Sequence, residues 1–300
     1  MAQTRVLEEL TKTWGEEHDR GSALSCSSPV QEKEYLMSNA LTYANYLRVD
    51  ELLSIQTPKS DGPHGPEHDE MLFIIIHQVY ELWFKEMLHE LDYLGVLLRQ
   101  NEPGRATHVT RRILAILKTI VSQLDVLETM TPLEFNSFRS FLESASGFQS
   151  AQFREIEFVF GYKRDTVFAQ YAVGSIGHAQ LEKRYAQPTL WDAFLYYLGL
   201  NGYPVSEEAV HRDVTQAVAP SPAIQTILID VYRQNAIVSN ICENLVDMDE
   251  GFQEWRYRHA KMVERTIGIK SGSGGSSGSS YLQSTIKPFF PDLWIIRSQF

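Results

Sequence analysis

Cysteine is nearly absent: among 300 residues only Cys26 and Cys242 occur. Neither lies in a CxxC or CxxCH pattern, so a disulfide scaffold, a thiolate zinc site and a thioether-linked prosthetic group lack support. Basic charge is also short. Lys and Arg total 27 against 38 Asp and Glu, a net charge of −11, and an acidic surface repels nucleic-acid phosphate. There is no apolar run of about 18 residues to cross a bilayer. The first twenty residues, MAQTRVLEELTKTWGEEHDR, are charged throughout and offer no apolar core of a secretory signal. The cytoplasm is therefore the expected location. No strand-like alternation persists, and no repeat or βαβ rhythm appears. HExxH and paired-carboxylate ligand spacings are missing, which leaves zinc and di-iron sites without a basis. The run Gly272-Ser-Gly-Gly-Ser-Ser-Gly278 lacks the GKS/T ending and the preceding strand of a nucleotide-binding loop. No serine–histidine pairing can be argued from order, so nucleophilic hydrolysis has no positive signal.

What remains is helix. Apolar residues make up 43% of the chain and charged residues 22%, enough for a core that encloses a cofactor. Tyr43, Tyr46, Leu47 and Asp50 fall three and four apart, predicting one face of a short helix. Residues 59–68, with two Pro and two Gly, predict a loop. Asp69 and Glu70 then open a helix to about Gln100, with Leu72, Ile76, Trp83, Met87, Leu91 and Leu94 at helical spacing. A second helix is expected from about Ala106 to Thr129, a short one from Thr131-Pro132, and another over 152–161. The region 163–223 is less clear, apart from a buried helix over Leu190 to Leu200. A single long helix is expected from Ile224 to about Gly268, and an apolar segment, Tyr281 to Phe300, closes the chain. The fold class is all-α, a helical bundle with an N-terminal arm (1–40) and one domain (41–300).

Four features could carry chemistry. His77 follows Phe73, Ile74, Ile75 and Ile76 on an apolar helix, where a lone histidine is more often a satisfied core residue. His259 closes the segment WRYRH, which also reads as a solvated cationic face. Two histidines on separate helices could supply a proximal ligand and a distal group to a haem, which needs one neutral imidazole and an apolar slot; spacing alone leaves this open. Arg139 lies among aromatics in Phe135-Asn-Ser-Phe-Arg139. There it could clamp a carboxylate through two parallel hydrogen bonds or simply cover apolar surface. The Gly/Ser run between apolar segments reads as a lid or binding loop rather than an interdomain spacer.

Five blocks, in order, resemble the tryptophan 2,3-dioxygenase family over roughly residues 40–300. They are LTYANYLRVDELLSIQ (41–56), HDEMLFIIIHQVYELWFKEMLHEL (68–91), FRSFLESASGFQSAQFREIE (138–157), LVDMDEGFQEWRYRHAKMVERTIGIKSGSGGSSG (245–278) and YLQST (281–285). The resemblance implies a helical homotetramer with one b-type haem per subunit, ferrous iron and dioxygen as co-substrate. It makes His259 the proximal iron ligand and His77 the distal residue facing the indole N–H. Phe73, Ile74, Ile75, Ile76 and Phe135 belong to the substrate pocket by the same likeness, and Arg139 grips the substrate carboxylate. Tyr43, Tyr46 and Leu47 reach in from a neighbouring subunit, and Ser146 and Gly147 line the haem pocket. The implied reaction inserts dioxygen into L-tryptophan and cleaves the indole C2–C3 bond to N-formylkynurenine. One position departs from the family pattern GTGGSSG: Ser273 stands where Thr is usual. Serine keeps the hydroxyl that meets the substrate ammonium but fixes its rotamer less. That leaves room for an alternative, monooxygenation of a substituted tryptophan to an oxindole; a separate alternative, from another class, is a non-catalytic haem sensor.

Overall fold

A computed structural model describes residues 41–270 and 279–300. The chain divides into two compact units after Ile55. In the first, Thr42 caps helix α1 (Tyr43–Leu47) by accepting the Asn45 N–H at 3.2 Å. Arg48 then adopts the left-handed region (φ 52°) and separates α1 from α2 (Val49–Leu52). The single expected helical face is therefore broken: Asp50 belongs to α2, while Tyr43, Tyr46 and Leu47 stay on α1. All three are exposed.

The second unit is built on three long helices: α3 (His68–Arg99), α4 (Pro103–Leu127) and, late in the chain, α11 (Ala236–Ile267). Helix α4 packs along both α3 and α11. Their apolar stripes bury Met87, Leu91, Leu94, Ile113, Leu117, Ile120, Leu124, Leu245 and Phe252 in one continuous core. Gly251 lets α11 approach α4 closely, because a Cβ there would meet Leu117 Cδ1 at 3.1 Å. The start of α3 is fixed by buried Glu70, which accepts from the Lys59 and Ser60 N–H groups at 2.7 and 2.8 Å. The loop before α3 is thereby pinned to the helix's positive end.

Shorter helices complete the bundle. These are α5 (Pro132–Arg139), α6 (Ala151–Val159), α7 (Ile176–Tyr185), α8 (Leu190–Leu200), α9 (Glu207–Val210), α10 (Pro222–Gln234), α12 (Ser279–Ser284) and α13 (Pro291–Ile295). Hydroxyl caps set many of their starts. Thr131 with Glu134 and Thr189 with Asp192 form reciprocal capping boxes, and Ser150 caps α6. Pro103 sits in the first turn of α4, so the helix begins earlier than the sequence pattern suggested. The long helix expected from Ile224 is two, α10 and α11. Asn235 leaves the helical region (φ −138°, ψ 93°) and its side chain accepts from the Ile237 and Val238 N–H groups. Among the described residues there is no β-strand, and no helix is long and apolar enough to cross a membrane.

The C-terminal segment is strapped to α11 by Asp249. This buried carboxylate accepts from the Phe289 N–H at 2.9 Å, the Phe290 N–H at 3.0 Å and Trp294 Nε1 at 3.0 Å. Lys163 does comparable work at the end of α7. Its ammonium donates to the carbonyls of Arg184, Tyr185 and Gln187 at 2.7–3.0 Å, closing the helix C-terminus, where the last carbonyls lack the partner of the next helical turn.

Candidate active site

The three long helices and the turn after α5 enclose a largely apolar cavity. Phe73, His77, Tyr80 and Phe84 of α3 line it, as do Leu124 and Leu127 of α4 and Phe135 and Arg139 of α5. Ser146, Gly147 and Phe148 of the turn, Phe153, Arg154 and Glu157 of α6, and Trp255, Arg256 and His259 of α11 also contribute to the wall, as does Glu81 of α3. A four-residue step brings side chains back to one helix face. That is why Phe73 and His77 share the cavity face of α3, and Trp255 and His259 that of α11.

The two histidines are held neutral. Burial pushes His259 down to about 4, reinforced by His77 and Arg154 nearby. Its ring lies parallel to Trp255, centroids 5.0 Å apart and planes 4° apart. Trp255 is itself boxed by Tyr80, Phe84 and Phe153. His77 presents open ring surface to the cavity yet is surrounded by enough protein that burial lowers its pKa. Its Nδ1 lies 2.7 Å from the Phe73 carbonyl oxygen. A carbonyl only accepts, so Nδ1 carries the proton, and in the neutral ring Nε2 is left as an acceptor.

An aromatic wall adjoins His77. Phe73 lies 4.1 Å from the His77 ring centroid, 5.9 Å from Phe135 and 5.5 Å from Phe138. The Arg139 guanidinium stands 6.0 Å from the Phe135 ring, one helical turn along α5. A second set of charges lies beneath. Glu157 is fully buried and receives Arg154 at 2.7 Å, Arg164 at 2.5 Å and Arg256 at 2.8 Å. Burial alone would raise its carboxyl, but the three guanidiniums outweigh that and hold it below the ordinary range.

Most residues singled out in the sequence converge here: Phe73, His77, Phe135, Arg139, Ser146, Gly147 and His259 all line the cavity. Ile74, Ile75 and Ile76 do not. At roughly 100° per residue they turn away from the face of Phe73 and His77; Ile76 enters the core and Ile75 is exposed. Tyr43, Tyr46 and Leu47 belong to the other unit. Ser273 and the Gly/Ser run over 271–278 lie outside the described residues. Sequence reading missed Trp255, Arg154, Glu157 and Arg256. The available signal was charge inside otherwise apolar helical blocks, FREIE and EWRYRH.

Fold and site together define a class: an all-α protein whose bundle encloses an apolar slot, with two neutral imidazoles on different helices and a guanidinium among aromatic rings. Comparison with known proteins makes this particular. The sequence profile of the family described as tryptophan 2,3-dioxygenase matches residues 27–182 and 211–300. The tryptophan 2,3-dioxygenase of Herpetosiphon aurantiacus is 69% identical over 262 residues, covering 87% of this chain and 99% of the relative. That of Anaeromyxobacter sp. (strain K) is 52% identical over 266 residues, covering 87% and 96%. That of Arthrobacter sp. (strain FB24) is 41% identical over 266 residues, covering 87% and 93%. The chain belongs to the tryptophan 2,3-dioxygenase family.

The residues present fit a haem. His259 offers a neutral nitrogen donor inside an apolar slot, which is what an axial ligand requires. Among the described residues no group of three or more His, Cys, Asp or Glu could hold a bare metal ion.

Proposed function

We propose that this chain is a haem-dependent dioxygenase that adds dioxygen to L-tryptophan and opens the indole C2–C3 bond to give N-formylkynurenine. The observation that carries the reading is the pairing of a neutral His259 with an acceptor-only His77 Nε2 across one apolar cavity. His259 would hold a b-type haem through its iron. When bound in the ferrous state, that group supplies the dioxygen activation that side chains cannot.

The chain's own residues do the rest. Arg139 receives the substrate carboxylate through charge-assisted hydrogen bonds. Phe73 and Phe135 supply flat apolar walls for the indole. His77 Nε2 would accept the indole N–H and so fix the orientation of the indole in the cavity. It acts as an orienting acceptor and not as a strong base, because indole N–H is a very weak acid. Apolar lining limits water and with it side reactions. Holding the reacting atoms near attack distance is worth on the order of 7–11 kcal/mol in ideal cases. Ser273 would meet the substrate ammonium. The exposed aromatics Tyr43 and Tyr46 and the neighbouring Leu47 support a homotetramer in which α1 completes the pocket of a neighbouring subunit.

Ser273 in the usual threonine position favours one second reading, transfer of a single oxygen atom to a substituted tryptophan. Turnover under isotopically labelled dioxygen separates the two. The proposed reaction places both labelled atoms in a ring-opened product; an oxindole with one labelled atom would overturn it.

A further inference from the structure

Arg154, Arg164 and Arg256 converge on the single carboxylate of Glu157. The cluster thus holds a surplus of two positive charges. Its members are not at the surface: the side chains of Arg154 and Arg256 are only 8% and 4% exposed, and that of Arg164 16%. Unbalanced charge at such depth is strongly unfavourable unless an anion joins it. Other acids do not pair with the three guanidiniums among the described residues: Glu155 is bound to Arg184, and Glu81, on the cavity wall, accepts from the neutral Gln152 amide at 2.8 Å.

Hydrogen bonding points the same way. Arg256 spends its two terminal nitrogens on Glu157 and on the Thr285 carbonyl. Arg164 gives its terminal nitrogens to Glu157 and the Tyr281 hydroxyl, and its Nε has no acceptor among the described residues. Arg154 makes one hydrogen bond among those residues, to Glu157. Its planar group is wedged near the rings of Phe148 and Phe153, at 5.5 and 5.3 Å, so its direction is set. Arg154, Glu157 and Arg256 line the same cavity as His259, whereas Arg164 is not part of its lining and reaches the cluster through Glu157.

We propose that Arg154, backed by Arg256, is the seat for the carboxylate groups on the rim of the tetrapyrrole, so that the cavity selects a dianionic porphyrin over a neutral one. The proposal rests on the haem reading above and adds a carboxylate site distinct from Arg139, which the substrate uses. Glu157 is then a spacer that keeps three guanidiniums together while leaving their net charge for the ligand.

The test is absorbance titration of the full-length, haem-stripped protein with iron protoporphyrin and with its dimethyl ester, whose rim carries no charge. Wild type should bind the free acid at least about tenfold more tightly than the ester, the scale of a charge-assisted hydrogen bond. Arg154→Met should narrow that preference several-fold by weakening the free acid alone, and Arg154→Lys should restore most of it. Circular dichroism of Arg154→Met should stay native, because Glu157 keeps Arg164 and Arg256. Equal binding of acid and ester by wild type would overturn the proposal while leaving the haem reading intact. So would a preference unchanged in a folded Arg154→Met, since the carboxylates would then sit elsewhere. Failure to bind either porphyrin would overturn the haem reading, and this proposal with it.

Discussion

At the scale of single residues, the protonation of His77 is set by its own helix. Because Nδ1–H is spent on the Phe73 carbonyl, substrate recognition depends on the Nε2 lone pair. Protonation would turn that acceptor into a donor facing the indole N–H. Burial lowers the His77 pKa below its ordinary 6.5, so the useful neutral form persists through neutral pH and is lost only as pH falls through the lowered value. The kcat/KM for tryptophan should therefore be flat around neutral pH, about 7–8, and decline on the acid side. A profile that instead rises on acidification would show that the imidazolium is the working form. His77→Ala should lower kcat/KM roughly tenfold, the scale of one orienting hydrogen bond, with haem content unchanged. Arg139→Leu should cost roughly 10- to 150-fold in kcat/KM, the scale of a charge-assisted hydrogen bond. The loss should be smaller for an indole lacking the carboxylate, which steady-state kinetics with both substrates would reveal.

At the scale of elements, periodicity located the long helices because each presents one unbroken apolar stripe to the core. The ends of α3, the short helix after Thr131 and the segment Leu190–Leu200 lie close to where the pattern placed them. The boundary between α10 and α11 was not legible. Apolar spacing runs across Asn235, and only the local choice of its side chain to cap Ile237 and Val238 ends one helix and starts the next. The break at Arg48 was hidden for a similar reason, since a non-glycine residue in the left-handed region leaves no compositional mark. Within the site, His77, His259 and Arg139 were legible as chemistry-bearing types in apolar surroundings. Their convergence was not, because it depends on how α3, α5 and α11 pack. Treating the run 73–77 as one patch also overlooked the helical rotation that sends Ile74, Ile75 and Ile76 away. The strap on α11 offers an element-scale prediction. Asp249→Ala leaves the N–H groups of Phe289 and Phe290 and the Trp294 indole without their buried acceptor. It should destabilise the fold by about 3–5 kcal/mol, read as a lower denaturant midpoint with little change in slope.

At the scale of the whole molecule, the bundle concentrates burdensome polar groups around one cavity and surrounds them with aromatic packing. Glu157 is the hub of that arrangement. Its carboxyl is held below the ordinary range, so the stability it contributes is present above the unfolded-state value near 4.5 and is lost as pH falls through the lower folded value. Glu157→Gln should remove this contribution at neutral pH, costing about 3–5 kcal/mol because three guanidiniums lose their carboxylate. It should also weaken the pH dependence of unfolding below pH 5 relative to wild type, which denaturant titrations across the acid range would measure. Above this hub the account depends on one bond, between His259 and iron. The most direct measurement is resonance Raman spectroscopy of the ferrous, haem-loaded protein, in wild type and in His259→Gly with and without added imidazole. The account predicts an iron–histidine stretch in wild type, its loss in His259→Gly, and its return when free imidazole occupies the space. An unchanged stretch in His259→Gly would mean that another residue holds the iron, and would contradict the assignment.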